Sequence, residues 1–452
     1  MKRAGILLIV LAVLAAGFMA AANIVVADTG DEAHFESALL SGSREGVEGV
    51  RVSGRRSTRT VNDGYMDFVL GYDAASGVSE SSFELGGRSS GEVPVDYGTY
   101  NFDIFDGLSS GGSSSGGDGL DKDELPLPCA AIADETAAGQ TKTETMYLRD
   151  LCEYWPISVD RWGRQETEAR SEAIGEQLRP LLPVPEDTLV RASVTKDEEG
   201  HIREYDCSVV GGSNYELRTY NYSSCYIITV ELYSRGEEGE YIWQSGRIYS
   251  LETEADEERE EYVPIPESFR LALEGFEVYD IVEAPAVGGV LLLERGDTAL
   301  RIVQLSGAGE ILQDLELPRS EENVGASFVA GEDWVLVKQH GLVHSLVPDA
   351  DGVYVAGPAY DLRETAGYAG DWWSYEEYFD FDGERLVSLI PVDFRYIGYY
   401  TSVSRYDSNP DDARDGLLYL AVATPEEILL SEELYPSLYT NGLSLYWSVE
   451  IE

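Results

Sequence analysis

The recurrence of short strand-like segments between tight turns constrains the fold of this chain more than any other feature. From Thr188 onward, runs of β-branched, aromatic and aliphatic residues alternate with turns rich in Gly, Asp and Asn. Strand groups open at Val290, Trp334 and Arg385, spaced by 44 and 51 residues. A four-stranded meander cannot bury both of its faces alone, so successive sheets must stack. The sequence therefore predicts a mainly β fold of repeated antiparallel meanders.

The length of this repeat predicts how the meanders are arranged. Propeller blades contain about four strands and repeat every ~40–50 residues, so we expect a β-propeller-like stack of antiparallel meanders. One interspersed helix is predicted at residues 165–179, where a proline follows the last turn. The apolar side of this helix is formed by Ala169, Ala173, Ile174 and Leu178.

Residues 1–27 contain the second strong pattern. Lys2 and Arg3 provide a positive start, and residues 4–27 carry no charge and one polar side chain, Asn23. An apolar stretch of about 20 residues spans a bilayer as a helix, whereas a cleaved secretory signal has the same charge pattern and ends at small residues. Both alternatives, a signal anchor and a signal peptide, stay open. In either case the chain from Asp28 onward is exported, facing outside the cell membrane or secreted.

The exported part divides into two predicted regions. Residues 28–262 form an N-terminal β-rich region that contains a Gly- and Ser-rich segment at 107–119, predicted to be a flexible loop. Residues 263–452 form the C-terminal propeller-like repeats. We place the boundary after the acidic run that ends at Tyr262, because prolines punctuate the chain directly afterwards.

The charge of the exported part excludes some partners. After residue 27 the chain contains 83 acidic and 30 basic residues, a net charge of −53. Such a field repels the phosphates of nucleic acids and the headgroups of anionic lipids. We therefore expect no nucleic-acid partner, and contact with a membrane only through the N-terminal segment.

Four cysteines lie in the exported part: Cys129, Cys152, Cys207 and Cys225. An even count in an oxidising compartment suggests two disulfides, and the alternative is four free, buried thiols. Of the three connectivities, pairing between neighbours in sequence is the simplest, and it predicts that Cys207 and Cys225 lie on neighbouring strands. The sequence has no C-x-x-C motif, which disfavours zinc binding and thioredoxin-like chemistry.

One acidic turn has the residue order of a calcium loop. The side-chain oxygens at positions 1, 3, 5 and 9 of this turn belong to Asp407, Asn409, Asp411 and Asp415. A chain that curls round one cation presents ligands in this order, although position 12 is Leu418 and not the usual glutamate. Ca²⁺ is therefore the candidate cofactor, and a solvated hairpin loop is the alternative.

Aromatic residues interleaved with acids are abundant after residue 360. Exposed rings beside carboxylates suit sugars, peptides or cationic ligands, while the alternative is that the rings fill the layers between sheets. The candidate ligand-binding residues are Trp372, Trp373, Tyr375 and Tyr378.

No catalytic residue is predicted. The G-x-S-x-G matches lie in segments rich in Gly and Ser, without the strand-to-helix elbow that such a nucleophile needs. The four histidines form no H-E-x-x-H motif. A glycosidase needs a pair of carboxylates, and 83 acidic residues leave the pair unselected.

An N-terminal apolar segment, a Tyr-rich acidic exported part and meander phrases such as FDGERLVSL resemble uncharacterised exported bacterial proteins with propeller-like β-meander repeats. The resemblance covers residues 188–452. It implies the fold and carries over no active residue. Together with the surface chemistry it leads us to expect a non-catalytic extracellular binding or scaffold protein that contacts the cell envelope or a carbohydrate or peptide ligand. The alternative is a surface carbohydrate-active enzyme on a propeller fold.

Overall fold

The computed structural model describes residues 13–18, 34–59, 65–84, 102–108, 110–114, 119–161, 168–236, 239–256, 261–284, 286, 288–294, 296, 299–320, 325–369, 377–392, 417–436 and 445–452. Helices are few and short in these ranges. Residues 13–18 are helical, and the others are α1 (Leu127–Ala133), α2 (Glu168–Leu178) and α3 (Ala366–Ala369). None of the helices in the described ranges has the length and apolar character needed to cross a membrane. Most of the predicted signal anchor or signal peptide lies outside these ranges, so it stays a prediction.

Strands make up most of the described chain. The first fourteen are β1 (Phe35–Gly42), β2 (Val50–Arg59), β3 (Tyr65–Asp73), β4 (Val78–Glu84), β5 (Phe102–Asp106), β6 (Ser110–Ser113), β7 (Thr141–Tyr147), β8 (Ile157–Arg161), β9 (Leu189–Lys196), β10 (Ile202–Gly211), β11 (Ser213–Asn221), β12 (Cys225–Arg235), β13 (Tyr241–Asp256) and β14 (Glu261–Pro264). The others are β15 (Arg270–Glu274), β16 (Val278–Ala284), β17 (Gly289–Glu294), β18 (Ala299–Ser306), β19 (Ile311–Pro318), β20 (Ser327–Ala330), β21 (Val335–Gln339), β22 (Leu342–Pro348), β23 (Tyr354–Asp361), β24 (Tyr378–Phe381), β25 (Leu386–Val392), β26 (Leu417–Ala423), β27 (Ile428–Pro436) and β28 (Leu445–Ile451).

The chain divides into two compact units that are both discontinuous in sequence. Unit 1 consists of Met1–Val95, Ser320–Leu346 and Ala356–Glu452. Unit 2 consists of Asp96–Arg319 and Val347–Val355. The predicted boundary between residues 262 and 263 therefore falls inside unit 2.

Strand pairing explains why the acidic run is not a boundary. β13 continues through the run as far as Asp256, and β14 returns along it with Glu261 opposite Asp256. β15, which follows the prolines, also pairs with β13. β13, which precedes the predicted boundary, thus pairs with strands on and beyond it. Backbone hydrogen bonds form regardless of the charge on outward-facing side chains.

Unit 1 contains sheets that join the two ends of the chain. One sheet has the order β28-β2-β3-β4, and another has the order β1-β27-β26-β25-β24. Their shared buried cluster includes Val52, Leu70, Leu389, Leu420 and Trp447. A third sheet, β20-β21-β22-β23, belongs to unit 1 except for residues 347–355.

Unit 2 is built from three larger sheets and one strand pair. The sheet orders are β6-β10-β9-β7, β11-β12-β13-β14 with β15 also on β13, and β16-β17-β18-β19, and the pair is β5-β8. One buried cluster surrounds Trp155, whose ring meets the Tyr215 ring edge-on at 5.4 Å between centroids. A second cluster, which includes Ile227 and Leu292, draws on β12 and β17.

The prediction of a mainly β fold made of antiparallel meanders is confirmed. Sheets of four consecutive strands start at β16, β20 and β24, whose first residues are spaced by 49 and 51 positions. The strands predicted at Val290, Trp334 and Arg385 are each the second strand of such a meander, β17, β21 and β25. The repeat is thus present, and each meander starts one strand earlier than the sequence pattern indicates.

Part of the predicted flexible loop is a strand. Ser110–Ser113 forms β6, which pairs with Glu204–Cys207 of β10. A Cβ atom at Gly112 would lie 2.6 Å from the ring of Tyr205, so glycine lets this ring lie across the edge strand. A ladder of backbone hydrogen bonds needs no apolar side chains, which is why composition alone predicts a loop here. Residues 109 and 115–118 lie outside the described ranges.

The predicted helix is confirmed over Glu168–Leu178. Its buried residues are Ser171, Ile174, Gly175 and Leu178, which share one face of a helix. Ala169 is exposed, so its prediction as part of the apolar side is wrong. The helix packs over β8, where Gly175 lies close to Val159.

Candidate functional site

Most of the predicted site residues lie outside the described ranges. These are the calcium candidates Asp407, Asn409, Asp411 and Asp415 and the aromatic candidates Trp372, Trp373 and Tyr375. Tyr378 is described: it begins β24 opposite Leu389, is half-buried and packs against the core of unit 1. This placement matches the alternative in which the ring fills a layer between sheets. Among the described residues, no group of three or more His, Cys, Asp or Glu side chains could hold a metal ion.

The structure separates the cysteines that are neighbours in sequence. Cys207 lies on β10 and Cys225 on β12, in two different sheets, so the prediction that they occupy neighbouring strands is wrong. The chain leaves the first sheet at Gly212, which has a φ of +74° and lies against the Asp187 carbonyl. In this structure the four cysteines are unbridged. Cys129, predicted beside Cys152, instead contacts Cys207.

A polar cluster on one face of β11 and β12 is the best candidate site in unit 2. It consists of Glu216, Arg218 and Tyr220 from β11 and Glu231 and Tyr233 from β12, and we call it the acidic tyrosine cluster. Glu216 and Glu231 are directly opposite in the antiparallel register. Residues two apart on a strand share a face, so the five side chains lie on the same side of the sheet.

Glu231 is the most unusual member of the acidic tyrosine cluster. Only 2% of the residue is exposed, and its two carboxylate oxygens accept hydrogen bonds from the Val278 N–H at 3.0 Å and the Tyr233 hydroxyl at 3.3 Å. Burial raises the pKa of Glu231 above its ordinary value, because the charged form loses its hydration. The pKa of Tyr233 is raised too, by burial and then by the nearby Glu231 and Glu216 charges.

Glu216 differs from Glu231 in its surroundings. Its Oε1 accepts a hydrogen bond from Arg218 Nε at 2.9 Å, and its side chain reaches solvent. The cluster therefore contains two carboxyl groups on opposite residues. Burial favours the neutral form of Glu231, and Glu216 is ion-paired with Arg218. Such asymmetry is how proteins divide acid and base roles between carboxylates. Both oxygens of Glu231 are already hydrogen-bonded inside the unit, however, so the arrangement also serves as an internal support.

An exposed aromatic pair extends the cluster toward solvent. Tyr233 meets Tyr241 edge-on, with ring centroids 6.5 Å apart and planes at 87°. Tyr241 is 63% exposed and lies at the start of β13, opposite Arg235. The sheet thus presents an open ring next to Tyr233, on the same face as Glu216. Exposed rings and carboxylates on one face suit sugars and cationic groups.

The raised pKa of Glu231 predicts a specific pH dependence of stability. In the unfolded chain its carboxyl ionises near an ordinary pKa of about 4.3, whereas the folded chain keeps the proton to higher pH. The folded state binds more protons within this window, so wild-type stability falls as the pH rises through it. We expect Glu231→Gln to gain stability relative to the wild type as the pH rises from about 4, as measured by urea unfolding.

The control for this pH experiment is Glu204→Gln, an exposed glutamate on β10. Its side chain is hydrated in both states, so the control is expected to follow the wild type at every pH. A stability difference between Glu231→Gln and the wild type that stays constant over the whole range would contradict the prediction.

Two signals in the sequence could have located this cluster. Glu231 interrupts the otherwise apolar strand CYIITVELY, and an acid inside a buried run needs a partner or a proton. In β11, Glu216 and Arg218 alternate with the buried Tyr215 and Leu217. Both signals precede residue 360, outside the aromatic-rich stretch that contains the predicted ligand-binding residues.

Comparison with known proteins gives no family. No protein-family model and no curated protein matches the chain. Among solved structures, cobalt-substituted Synechocystis ACO is similar at 11% identity and a TM-score of 0.22, covering 54% of this chain and 61% of that one. This chain thus spans less than two thirds of that protein's length.

Two further structures are similar at the same level. The Dos1 propeller has 11% identity and a TM-score of 0.21, covering 57% of this chain and 77% of that one. An auxiliary nutrient binding protein from Bacteroides ovatus has 10% identity and a TM-score of 0.23, covering 90% of this chain and 88% of that one. At TM-scores this far below 0.5, the similarities assign neither a family nor an activity.

Proposed function

We propose that this chain is a non-catalytic extracellular binding or scaffold protein, held at the outer face of the cell membrane or secreted. The observation that carries the proposal is the exposed Tyr241 ring, edge-on to Tyr233, whose hydroxyl donates to Glu231 of the acidic tyrosine cluster. The four-stranded meanders are proposed to be blades of a propeller-like arrangement, a fold that often supports binding surfaces.

Export is supported by two properties of the sequence. The positive start and the apolar segment before Asp28 have the order of a signal anchor or signal peptide. The net charge of −53 after residue 27 keeps such a chain soluble and away from anionic surfaces. A scaffold tethered at its N-terminus would then extend its acidic surface away from the membrane.

The ligand class follows from the chemistry of the exposed face. Tyrosine rings stack on the apolar faces of sugars, and they attract cations when carboxylates lie beside them. Tyr241 and Glu216 supply both features on one face of one sheet. Carbohydrates and basic peptides of the cell envelope are therefore the proposed ligands. Trp372, Trp373 and Tyr375 stay proposed as a second binding surface, and Ca²⁺ at Asp407–Asp415 stays a proposed cofactor.

The binding proposal is tested by titrating the purified full chain with an oligolysine peptide and with soluble glycans released from the producing cell's envelope. We expect Tyr241→Ala to weaken binding of one of these ligands by roughly tenfold, since an aromatic anchor contributes on the order of 1–2 kcal/mol. Each titration is run with calcium and with a chelator, which shows whether the proposed cofactor contributes.

Tyr147→Ala is the matched control, because Tyr147 is 50% exposed but lies on β7, in another sheet. The control is expected to bind like the wild type. Equal loss in both variants would contradict a site at Tyr241, as would unchanged binding in Tyr241→Ala.

A carbohydrate-active enzyme is the second candidate, and the opposed pair Glu216 and Glu231 favours it. A raised pKa suits Glu231 to donate a proton, and Glu216, held by Arg218, suits a charge-stabilising role. The burial of Glu231 places this proposal second, because a general acid must reach the bond that it protonates. Release of sugar from envelope glycans by the wild type but not by Glu231→Gln would select the enzyme over the binding protein.

A further inference from the structure

Cys129 and Cys207 are brought together although 78 positions separate them in the chain. Cys129 lies on α1, which packs on β9 and β10 of unit 2, and Cys207 lies on β10. The Cys129 thiol donates to the Asp206 carbonyl oxygen at 3.3 Å and approaches the Ser193 carbonyl oxygen at 3.8 Å. Asp206 and Ser193 are directly opposite in the β9–β10 ladder, so the helix places Cys129 over the rung next to Cys207.

The two thiols contact each other inside the core. Cys129 and Cys207 belong to the same buried cluster, together with Ile132 and Ala192. The interaction between the two thiols lowers the pKa of Cys129 and raises the pKa of Cys207. Two cysteines on packed neighbouring elements can be bridged when their Cα atoms lie within about 7 Å, and the packing of α1 on β9 and β10 gives Cys129 and Cys207 such a placement.

The other two cysteines lie elsewhere in unit 2. Cys152 packs against the same buried cluster, and its thiol donates to the Leu148 carbonyl oxygen at 3.8 Å. Cys225 is buried in the second cluster, beside Ile227. The two thiols lie in different clusters of unit 2, so the fold does not place them to pair with each other.

We infer that Cys129 and Cys207 form a disulfide bond when the chain folds in an oxidising compartment, while Cys152 and Cys225 stay thiols. The inference that the bond forms in the cell depends on the proposed export; the pairing itself does not. This bond would fasten α1 to β10 and close a loop of about 80 residues, a length for which cross-linking is strongly stabilising.

The chemistry balances with an external disulfide as the oxidant. The Cys129 thiolate attacks a disulfide of a thiol oxidoreductase or of a small molecule, forming a mixed disulfide and releasing one thiolate. The Cys207 thiolate then attacks the Cys129 sulfur, which expels the second thiolate and leaves the Cys129–Cys207 bond. The two electrons pass to the oxidant, which becomes a dithiol or two thiols after taking up the two protons. Both cysteines are buried in the folded chain, so the exchange must precede the docking of α1.

The pairing is tested by refolding the reduced full chain in a mixture of oxidised and reduced glutathione. Free thiols are then alkylated, and the protein is digested without reduction for mass spectrometry. We expect one cross-linked peptide joining Cys129 to Cys207 and alkylation at Cys152 and Cys225. Four alkylated cysteines, or any other pair, would overturn the inference.

Thermal unfolding gives an independent readout. The oxidised wild type should melt roughly 5–15 °C above the reduced wild type, given the usual stabilisation by a disulfide. Cys207→Ala and Cys129→Ala should each lose this oxidation-dependent shift, and Cys152→Ala should keep it. A shift that persists in both Cys207→Ala and Cys129→Ala would overturn the pairing.

Protein isolated from the producing cell under acid quench separates this inference from the proposed export. A Cys129–Cys207 bond in that protein supports both. Four thiols in that protein, with the bond formed in vitro, would uphold the pairing and contradict export to an oxidising compartment.

Discussion

Removal of the last strand, Leu445–Ile451 with Glu452, is expected to unfold unit 1. β28 pairs with β2 over seven residue pairs, from Val50 opposite Ile451 to Arg56 opposite Leu445. It also carries Trp447 and Val449, both buried, into the core of the unit. Loss of a buried tryptophan alone costs about 3–5 kcal/mol, and an entire domain is stable by only about 5–15 kcal/mol. Deleting the strand therefore removes most of the available stability.

Trp447 has contacts that explain why the strand matters. Its ring lies 5.8 Å from the Phe35 ring between centroids, and Phe35 belongs to β1. β1 in turn pairs with β27 near the other end of the chain. One aromatic contact thus links the two sheets in which N-terminal and C-terminal strands meet.

Hydrogen exchange with mass spectrometry measures the effect of the truncation. Amides of β2 and β3 should lose their protection in the truncated protein. Deletion of Glu452 alone is the control and should leave the protection of β2 and β3 unchanged, since it removes one backbone hydrogen bond, in which the Glu452 N–H donates to the Gly49 carbonyl oxygen just before β2. Trp447→Ala is the milder variant and should lower the free energy of unfolding by about 3–5 kcal/mol. Retained protection of β2 in the truncated chain would contradict the prediction.

Arg44→Met is expected to lower the free energy of unfolding by about 3 kcal/mol. The side chain of Glu432 is 0% exposed, and its Oε1 accepts a hydrogen bond from Arg44 Nε at 2.6 Å. The Tyr72 hydroxyl donates to its other oxygen, and Arg44 also donates to Ser37 Oγ at 2.6 Å. Removing one partner of a buried pair leaves an uncompensated charge, which costs about 3–5 kcal/mol. Arg44 is 34% exposed, and this solvation places the expected loss at the lower end.

The matched control is Arg51→Met, which removes an arginine from an exposed ion pair with Glu452 in the same unit. Exposed pairs contribute about 0–1 kcal/mol, so this control should unfold nearly like the wild type. The double variant Arg44→Met with Glu432→Gln should lose less free energy of unfolding than the sum of the two single-variant losses. The reason is that Glu432→Gln removes the buried carboxylate charge that Arg44→Met leaves without its partner. Equal denaturant midpoints for Arg44→Met and Arg51→Met would contradict the role given to Glu432.

Much of the local architecture of this protein could be read from its sequence. The alternation of strand-like runs and Gly-containing turns predicted from Thr188 onward coincides with the succession of strands that begins at β9, because side chains along a strand alternate between its two faces. The meander repeat was visible because each sheet needs the same number of strands and turns. The helix at Glu168–Leu178 was visible because its neighbours contain Pro and its own residues favour helix.

The elements that were misread depend on backbone pairing. Ser110–Ser113 has no apolar side chain to reveal a strand, yet it completes a sheet along β10. The acidic run before Tyr262 contains outward-facing charges, while its residues Thr253–Asp256 pair with β14 through the backbone. Amide and carbonyl groups are identical at every residue, so the sequence pattern does not record which strands they join.

The candidate site was hidden for a related reason. Glu216 and Glu231 are 15 positions apart, and only the register of β11 on β12 places them opposite each other. Among 83 acidic residues, a pair becomes visible when the sheet is formed and one member is sealed from water. The raised pKa of Glu231 follows from that burial and not from its neighbours in the chain.

The sequence by itself determined the properties that depend on local patterns and on totals: a mainly β chain, a meander repeat and a strongly acidic surface. Tertiary structure alone decided which distant parts meet. Glu432 is hydrogen-bonded to Arg44, 388 positions away in the chain. β28 pairs with β2, and Cys129 lies beside Cys207 instead of Cys152. Such contacts form because the packed arrangement as a whole is lowest in free energy, and no single segment carries the information that selects its partner.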